Sequence, residues 1–230
     1  MKQEVPKHIG IILDGNRRWA KAKNLSSLEG HRQGFSNVKK ITRYTYSKGI
    51  KILSIYAFST ENWNRSKEEV SYLMGLFKLL LTKEINALNK EGVKINIFGR
   101  ISDFDDKLKK LIVQAQDKTS KNNKAILNIC ISYGGRDEIV RAVKKIVEQN
   151  IPANKITEEL ISQNLDSANI PDPDLIIRTS GELRLSGFLT WQSVYSELYF
   201  PKVTWPDFSE KDLDLALEEY NKRQRRFGAN

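Results

Sequence analysis

At 230 residues, 40% of them hydrophobic, the chain is long enough to fold as one domain around a full core. Its one cysteine excludes a disulfide scaffold, and no apolar run reaches the ~18 residues that span a bilayer. The net charge of +10 calls for an anionic partner: nucleic acid, a membrane surface or a phosphorylated substrate.

The opening MKQEVPKH lacks the apolar stretch of a signal peptide, so a cytoplasmic protein is expected, with peripheral attraction to the inner face of the membrane. The apolar run His8 to Leu13 reads as a buried strand. It ends on Asp14, and Gly15, Asn16, Arg17, Arg18 and Trp19 lead directly into a helical AKAK. Free N–H groups at a helix start attract an anion, and arginines add forked donors suited to phosphate. Gly15 permits a tight turn and close approach of a ligand. Asp14 would repel a phosphate unless a hard cation such as Mg2+ sits between them. The plainer reading is a surface turn with an aspartate cap.

A helix over 31–48 follows, and His31 near its start suits an anion contact or a packing role. After a strand over 51–58 comes Ser59-Thr60-Glu61-Asn62-Trp63-Asn64-Arg65, dense in donors and acceptors. Ser66 with Glu69 predicts a capping box for a helix over 66–91. That helix carries Val70, Leu73, Met74, Phe77, Leu80, Leu81, Ile85 and Leu88 at helical spacing. Such a stripe packs a core, or walls an elongated apolar cleft for a hydrocarbon chain. Strands over 93–98 and 126–132 alternate with helices over 104–120 and 135–149, and Cys130 falls inside the second strand as a buried thiol. Asp103, Asp105 and Asp106 look like part of a metal motif, but acids are expected in a first helical turn.

A helix over 156–164 and the loop IPDPD precede a strand over 174–178. Arg178 then opens a run with Arg184, two hydroxyls and two glycines, a composition suited to a second diphosphate. Glu197 is an isolated acid in a last apolar strand over 196–200, where an acid pairs, binds a metal or faces solvent on an edge. A helix over 209–226 ends the chain on basic residues. The alternation predicts a mostly parallel sheet covered on both faces, in a single domain over 1–230. Ligands of such sheets lie outside the carboxyl ends of the strands, so Asp14, the run after Phe58, Arg100, the Tyr-Gly-Gly-Arg run after Ser132, Arg178, and Glu197 near the last strand matter. No GxGxxG follows the first strand and no GxxxxGK[ST] occurs, so neither a dinucleotide fold nor a P-loop is supported.

These clusters, in this order, resemble the cis-prenyltransferase family, typified by undecaprenyl diphosphate synthase. The motifs are DGNRRWAK at 14–21, GHRQG at 30–34, YAFSTENWNR at 56–65, IIRTSGELRLSGFLTWQ at 176–192, YSELYF at 195–200, WPDF at 205–208 and RRFG at 225–228. The SGFLTWQS wording is similar to archaeal members. The resemblance implies an α/β fold with a six-stranded, mainly parallel sheet flanked by helices, an elongated hydrophobic cleft, and a homodimer. It implies Mg2+-dependent condensation of isopentenyl diphosphate onto an allylic diphosphate of farnesyl or geranylgeranyl type. Each step would form a Z double bond and release diphosphate. The product would be a medium or long polyprenyl diphosphate for a glycan lipid carrier, since Ala57 leaves room where bulky residues accompany short products.

By the same resemblance, Asp14 is a Mg2+ ligand and the key catalytic residue, and Glu197 is the second metal ligand. Asn62 matches the residue often assigned as proton acceptor, although an amide is a poor base and a water or a diphosphate oxygen could serve. Gly15, Asn16, Arg17 and Arg18 match the cradle of the allylic diphosphate, with Trp19 and His31 beside it. Ser59, Thr60 and Glu61 match the substrate loop, and Trp63 and Arg65 are further contacts. Arg178, Arg184, Leu185 and Ser186 match the isopentenyl diphosphate site. Arg226 and Gly228 match a C-terminal motif that reaches the neighbouring subunit's site.

Two positions depart from the family pattern. Many members have an arginine where Ser27 stands, so that contact is either lost or supplied by another residue such as Arg32 or Lys23. Some bacterial members have a histidine at Leu183, which leaves the metal shell to Asp14, Glu197, phosphate and water. Non-catalytic accessory subunits of the family lack the acid and arginines that this chain keeps at 14–18. A nucleic-acid-binding module is disfavoured, because the charges are dispersed and the aromatics sit inside the enzyme-like motifs.

Overall fold

The computed structural model describes residues 4–223. Six strands form one sheet: β1 (His8–Ile12), β2 (Ile52–Ser59), β3 (Val93–Phe98), β4 (Ala125–Tyr133), β5 (Leu175–Arg178) and β6 (Glu197–Tyr199). Every neighbouring pair is parallel, in the order β3-β4-β2-β1-β5-β6. Parallel strands need crossovers, and all but the one between β5 and β6 are supplied by helices. These are α1 (Asn16–Ala22), α2 (Ser27–Ser47), α3 (Lys67–Leu79), α4 (Ile85–Lys90), α5 (Asp106–Thr119), α6 (Gly135–Glu148) and α7 (Glu158–Asn164), with α8 (Glu210–Lys222) after the last strand.

The pleat sends alternate residues to opposite faces. Ile9, Ile11, Leu53, Ile55 and Ile129 join residues of α2, α3, α5 and α8 in the larger core. Ile12, Tyr56, Cys130 and Ile176 pack with Phe188 and Leu189 in a second cluster. Covered on both faces, the central strands need near-continuous apolar runs, and they have them. The Cys130 thiol is fully buried, which pushes its pKa up.

The expected helix over 66–91 is interrupted. A π-helical turn, Leu80–Glu84, separates α3 from α4 and lets the adjacent Leu80 and Leu81 both bury. α2 starts earlier than the apolar pattern implied, because Ser26 caps it by accepting from the Glu29 N–H at 3.3 Å. The acids at 103–106 do what the helix dipole asks: Asp105 caps α5 by accepting from the Leu108 N–H at 2.7 Å. No helix among the described residues is long and apolar enough to cross a membrane.

The chain leaves β1 toward β2 on one side and leaves β5 toward β6 on the other. The point where neighbouring connections diverge therefore lies between β1 and β5, and a crevice opens there above the carboxyl ends. Asp14 follows β1 and Arg178 ends β5.

Candidate active site

Gly15 lies at φ 105°, and a Cβ there would run into Ser180 and Thr204, so only glycine makes this turn. The turn aims the Asp14 carboxylate across the crevice. Its Oδ2 accepts from Nη2 of Arg178 at 2.8 Å and from Nε at 3.2 Å, and its Oδ1 lies 3.2 Å from Nη2 of Arg18. Burial works against ionisation of Asp14. The Arg178 bonds and the charges of Arg178 and Arg18 outweigh it and hold the carboxyl below the usual range.

Arg178 is 5% exposed and joins the two sequence clusters. Its Nη1 donates to the Arg184 carbonyl at 2.6 Å and to Ser186 Oγ at 2.8 Å. Arg18 also donates to Glu182 at 2.9 Å. One connected network thus runs from the start of α1 to the loop after β5.

A second network stands beside it. His31 is 6% exposed, and its Nε2 lies 2.9 Å from Oε1 of Glu69, which also accepts from Nη1 of Arg65 at 2.9 Å. Burial lowers the His31 pKa more than Glu69 raises it, so the ring is neutral at pH 7 and donates to Glu69. This overturns half of the expected capping box. Ser66 accepts from the Glu69 N–H at 3.2 Å, but the Glu69 carboxylate turns away to His31 and Arg65. The reciprocal box is Ser59 with Asn62, whose Oδ1 accepts from the Ser59 N–H at 3.1 Å and folds the loop after β2.

A cavity of about 1560 Å³ opens over these groups. Asp14, Gly15, Asn16, Arg17, Arg18, His31, Ser59, Glu61, Asn62, Arg65, Arg178, Leu185 and Ser186 line its polar part. Val38, Ile55, Phe58, Leu73, Met74, Phe77, Leu80 and Ile131 line its apolar part, and Ala57 is exposed on the wall. The stripe therefore serves both of its expected uses: Leu73, Met74, Phe77 and Leu80 wall the cavity, while Leu81 and Ile85 pack the core.

Five expected site residues are not on the wall. Trp19 donates to Asp207 at 2.7 Å and carries Lys23 over its ring at 4.3 Å. Thr60 bonds Glu61 and packs against Gly134. Trp63 donates to Ser132 Oγ at 2.8 Å and packs edge-on against Phe58. The Arg184 guanidinium pairs with Glu182 off the wall, and its carbonyl accepts from Arg178. Glu197 pairs in register with Leu175, which pairs with Ile9. That puts it at the amino end of the sheet, roughly 16 Å along the strand direction from Asp14. Its carboxylate accepts from Arg223 at 2.8 Å, so one chain does not bring the two expected metal ligands together. Arg226 and Gly228 lie outside the described residues.

At the Ser27 departure, Ser27 itself lines the cavity with Lys21 and Asn24. Arg32 pairs with Glu29 at 2.8 Å and Lys23 lies on Trp19, so neither fills the missing place; Lys21 is the cation on that wall. Arg136, Thr190 and Ser193 also line the cavity and had no assigned role. Position beyond a strand end, the rule that picks Asp14, also picks Arg136. Thr190 and Ser193 carry no comparable signal.

Asp14 by itself suits Mg2+. It is an ionised carboxylate facing the cavity, and Mg2+ commonly takes one or two carboxylates and completes its shell with substrate phosphates and water. Among the described residues no group of three or more His, Cys, Asp or Glu forms an all-protein metal cage.

A switch point with a paired acid, arginines and hydroxyls above an apolar-walled cavity defines a protein for ligands with an anionic head and a hydrocarbon tail. Residues 12–228 match the family model for undecaprenyl diphosphate synthase. An isoprenyl transferase of Fusobacterium nucleatum is 47% identical over 228 residues, which cover 99% of this chain and 98% of that one. A ditrans,polycis-undecaprenyl-diphosphate synthase of Micrococcus luteus, (2E,6E)-farnesyl-diphosphate specific, is 47% identical, covering 98% and 92%. Among solved structures, lavandulyl diphosphate synthase from Lavandula x intermedia, in complex with dimethylallyl diphosphate, superposes with a TM-score of 0.93 at 37% identity, covering 97% and 98%. The chain belongs to the undecaprenyl diphosphate synthase family of isoprenyl transferases. It is a prenyltransferase of the cis-prenyl diphosphate synthase type.

Proposed function

We propose that the chain is a (2Z)-polyprenyl diphosphate synthase that adds isopentenyl diphosphate repeatedly to an allylic diphosphate of farnesyl or geranylgeranyl type. The observation that carries this reading is the junction of Asp14, Arg178 and Ser186 at the polar end of one apolar-walled cavity. The farnesyl specificity of the Micrococcus relative supports the starter.

In this reading the allylic diphosphate rests at the start of α1, on the free N–H groups after Gly15 and on Arg17 and Arg18. Negative charge grows on it as the allylic C–O bond breaks, and these fixed donors stabilise that charge. Isopentenyl diphosphate rests beside Arg178 and Ser186 and presents its double bond to the allylic carbon. Holding both reactants in one dry cleft removes much of the entropic barrier. Mg2+, held by Asp14 with substrate phosphates and water, supplies charge neutralisation at the leaving diphosphate when bound. An amide is a poor base and Asn62 already folds its own loop through the Ser59 N–H, so the proton leaves to water or to a diphosphate oxygen. The tail extends along Leu73, Met74, Phe77 and Leu80, and the open wall at Ala57 supports a medium or long product. The enzyme acts as a cytoplasmic homodimer and delivers a glycan lipid carrier precursor at the membrane face, to which its net charge of +10 attracts it.

The test is Asp14→Ala, assayed with labelled isopentenyl diphosphate and farnesyl diphosphate. Incorporation is expected to fall about 10³-fold. Incorporation near that of the wild type would overturn the role of Asp14, and mass spectrometry of the wild-type product reads the chain length.

A further inference from the structure

The second anion site holds less uncommitted charge than its two arginines suggest. Arg178 gives its fork to Asp14, and Arg184 is paired with Glu182. Arg136 differs from both. It is exposed on the cavity wall, and no carboxylate among the described residues pairs with it. The nearest acids in sequence are spent elsewhere: Asp137 accepts from Arg141 at 2.9 Å, and Glu138 is buried against Tyr133, Gln192 and the Asp166 N–H.

The backbone holds Arg136 beside the second site. The Gly135 N–H donates to the Gly187 carbonyl at 2.7 Å, which fastens the start of α6 to the residue after Ser186. A Cβ at Gly135 would run into Thr190 and the Gly187 carbonyl, so this close approach requires glycine. Arg136 therefore projects from the wall next to Ser186, whose hydroxyl already contacts Arg178. Arg17, the other cavity arginine without a carboxylate partner among the described residues, sits at the start of α1. Among the described residues, each of the two anion sites thus has one uncommitted guanidinium.

We propose that Arg136 binds the diphosphate of isopentenyl diphosphate and supplies the net positive charge of that site, which Arg178 and Arg184 spend on Asp14 and Glu182. The inference rests on the reaction proposed above. A guanidinium suits the role because its forked donors match a phosphate and it stays charged at any working pH.

The experiment measures both KM values for Arg136→Gln and Arg136→Lys, together with calorimetric titration of each protein with inorganic diphosphate. Arg136→Gln is expected to raise KM for isopentenyl diphosphate about tenfold or more and to leave KM for farnesyl diphosphate within about twofold. Arg136→Lys, which keeps a point charge, recovers part of the loss. An unchanged KM for isopentenyl diphosphate, or an equal rise in both constants, would overturn the assignment. A wild-type protein that couples no substrates would remove the proposed reaction instead. In that case the titration still decides the anion contact: Arg136→Gln binds inorganic diphosphate more weakly if the contact exists and equally well if it does not.

Discussion

Two rows of polar side chains belong to this sheet, and they differ in what they leave open. Beyond the strand ends, Asp14, Arg178 and Ser186 are bonded to one another, yet all three still line the cavity. Within the sheet, His8, Ser54, Asn128 and Asn96 form a ladder across β1, β2, β4 and β3. The donors run one way. Asn96 donates to Asn128 at 2.8 Å, Asn128 to Ser54 at 2.9 Å, Ser54 to Nε2 of His8 at 2.7 Å, and Nδ1 of His8 to the Pro171 carbonyl at 2.6 Å. The Pro171 carbonyl can only accept, which puts a proton on Nδ1 of His8; burial keeps the ring neutral, and every member of the ladder has a partner. A closed row specifies structure; an open one has capacity left for a ligand.

The largest effect that this contrast predicts is at Arg178. Arg178→Gln removes the fork from Asp14 and one donor from Ser186, so the turnover rate should fall at least about 10²-fold. Steady-state kinetics checks it, and turnover within a few-fold of the wild type would make the open row no different from the closed one.

The ladder should answer to pH instead. Burial lowers the His8 pKa from 6.5 to about 4, with Pro171 and Asp174 opposing it in part. The unfolded chain then binds the extra proton between those values, so stability falls as pH drops through that window. The loss amounts to roughly 2 kcal/mol by pH 5 and 3 kcal/mol by pH 4. Urea unfolding of the wild type and of His8→Gln across that range gives the measurement. The variant should show the shallower slope, and equal slopes would mean that His8 is not held neutral.

Sequence reasoning reached the strands and the strand-end residues because both depend on short-range pattern. β1, β2 and β4 are apolar runs bounded by polar ends, and position alone nominated Asp14 and Arg178. Pairings across the sheet were not legible. That Glu69 turns to His31 rather than to its own helix start depends on α2 packing beside α3. That Glu197 lies far from Asp14 depends on the register of β6 against β5, which no local signal encodes. His8 and Asn128 could not be distinguished from site residues either, since a buried polar side chain looks the same in sequence whether its partners are protein or ligand.

Trp63 is the sharpest case of that ambiguity. It stands in the loop that supplies Ser59, Glu61, Asn62 and Arg65 to the cavity, yet its ring packs on Phe58 and Phe104 and its N–H is spent on Ser132. Ser132 in turn bonds Asp103, so the ring pins the loop to the end of β4 and to the turn after β3. Trp63→Phe keeps an aromatic face but loses that bond and some packing, at a cost of about 1–2 kcal/mol in stability. Both KM values should stay near those of the wild type, because the bonds that shape Ser59 and Asn62 are local to the loop. A rise in either KM without loss of stability would return the ring to the cavity, and with it the contact that the loop's composition suggested.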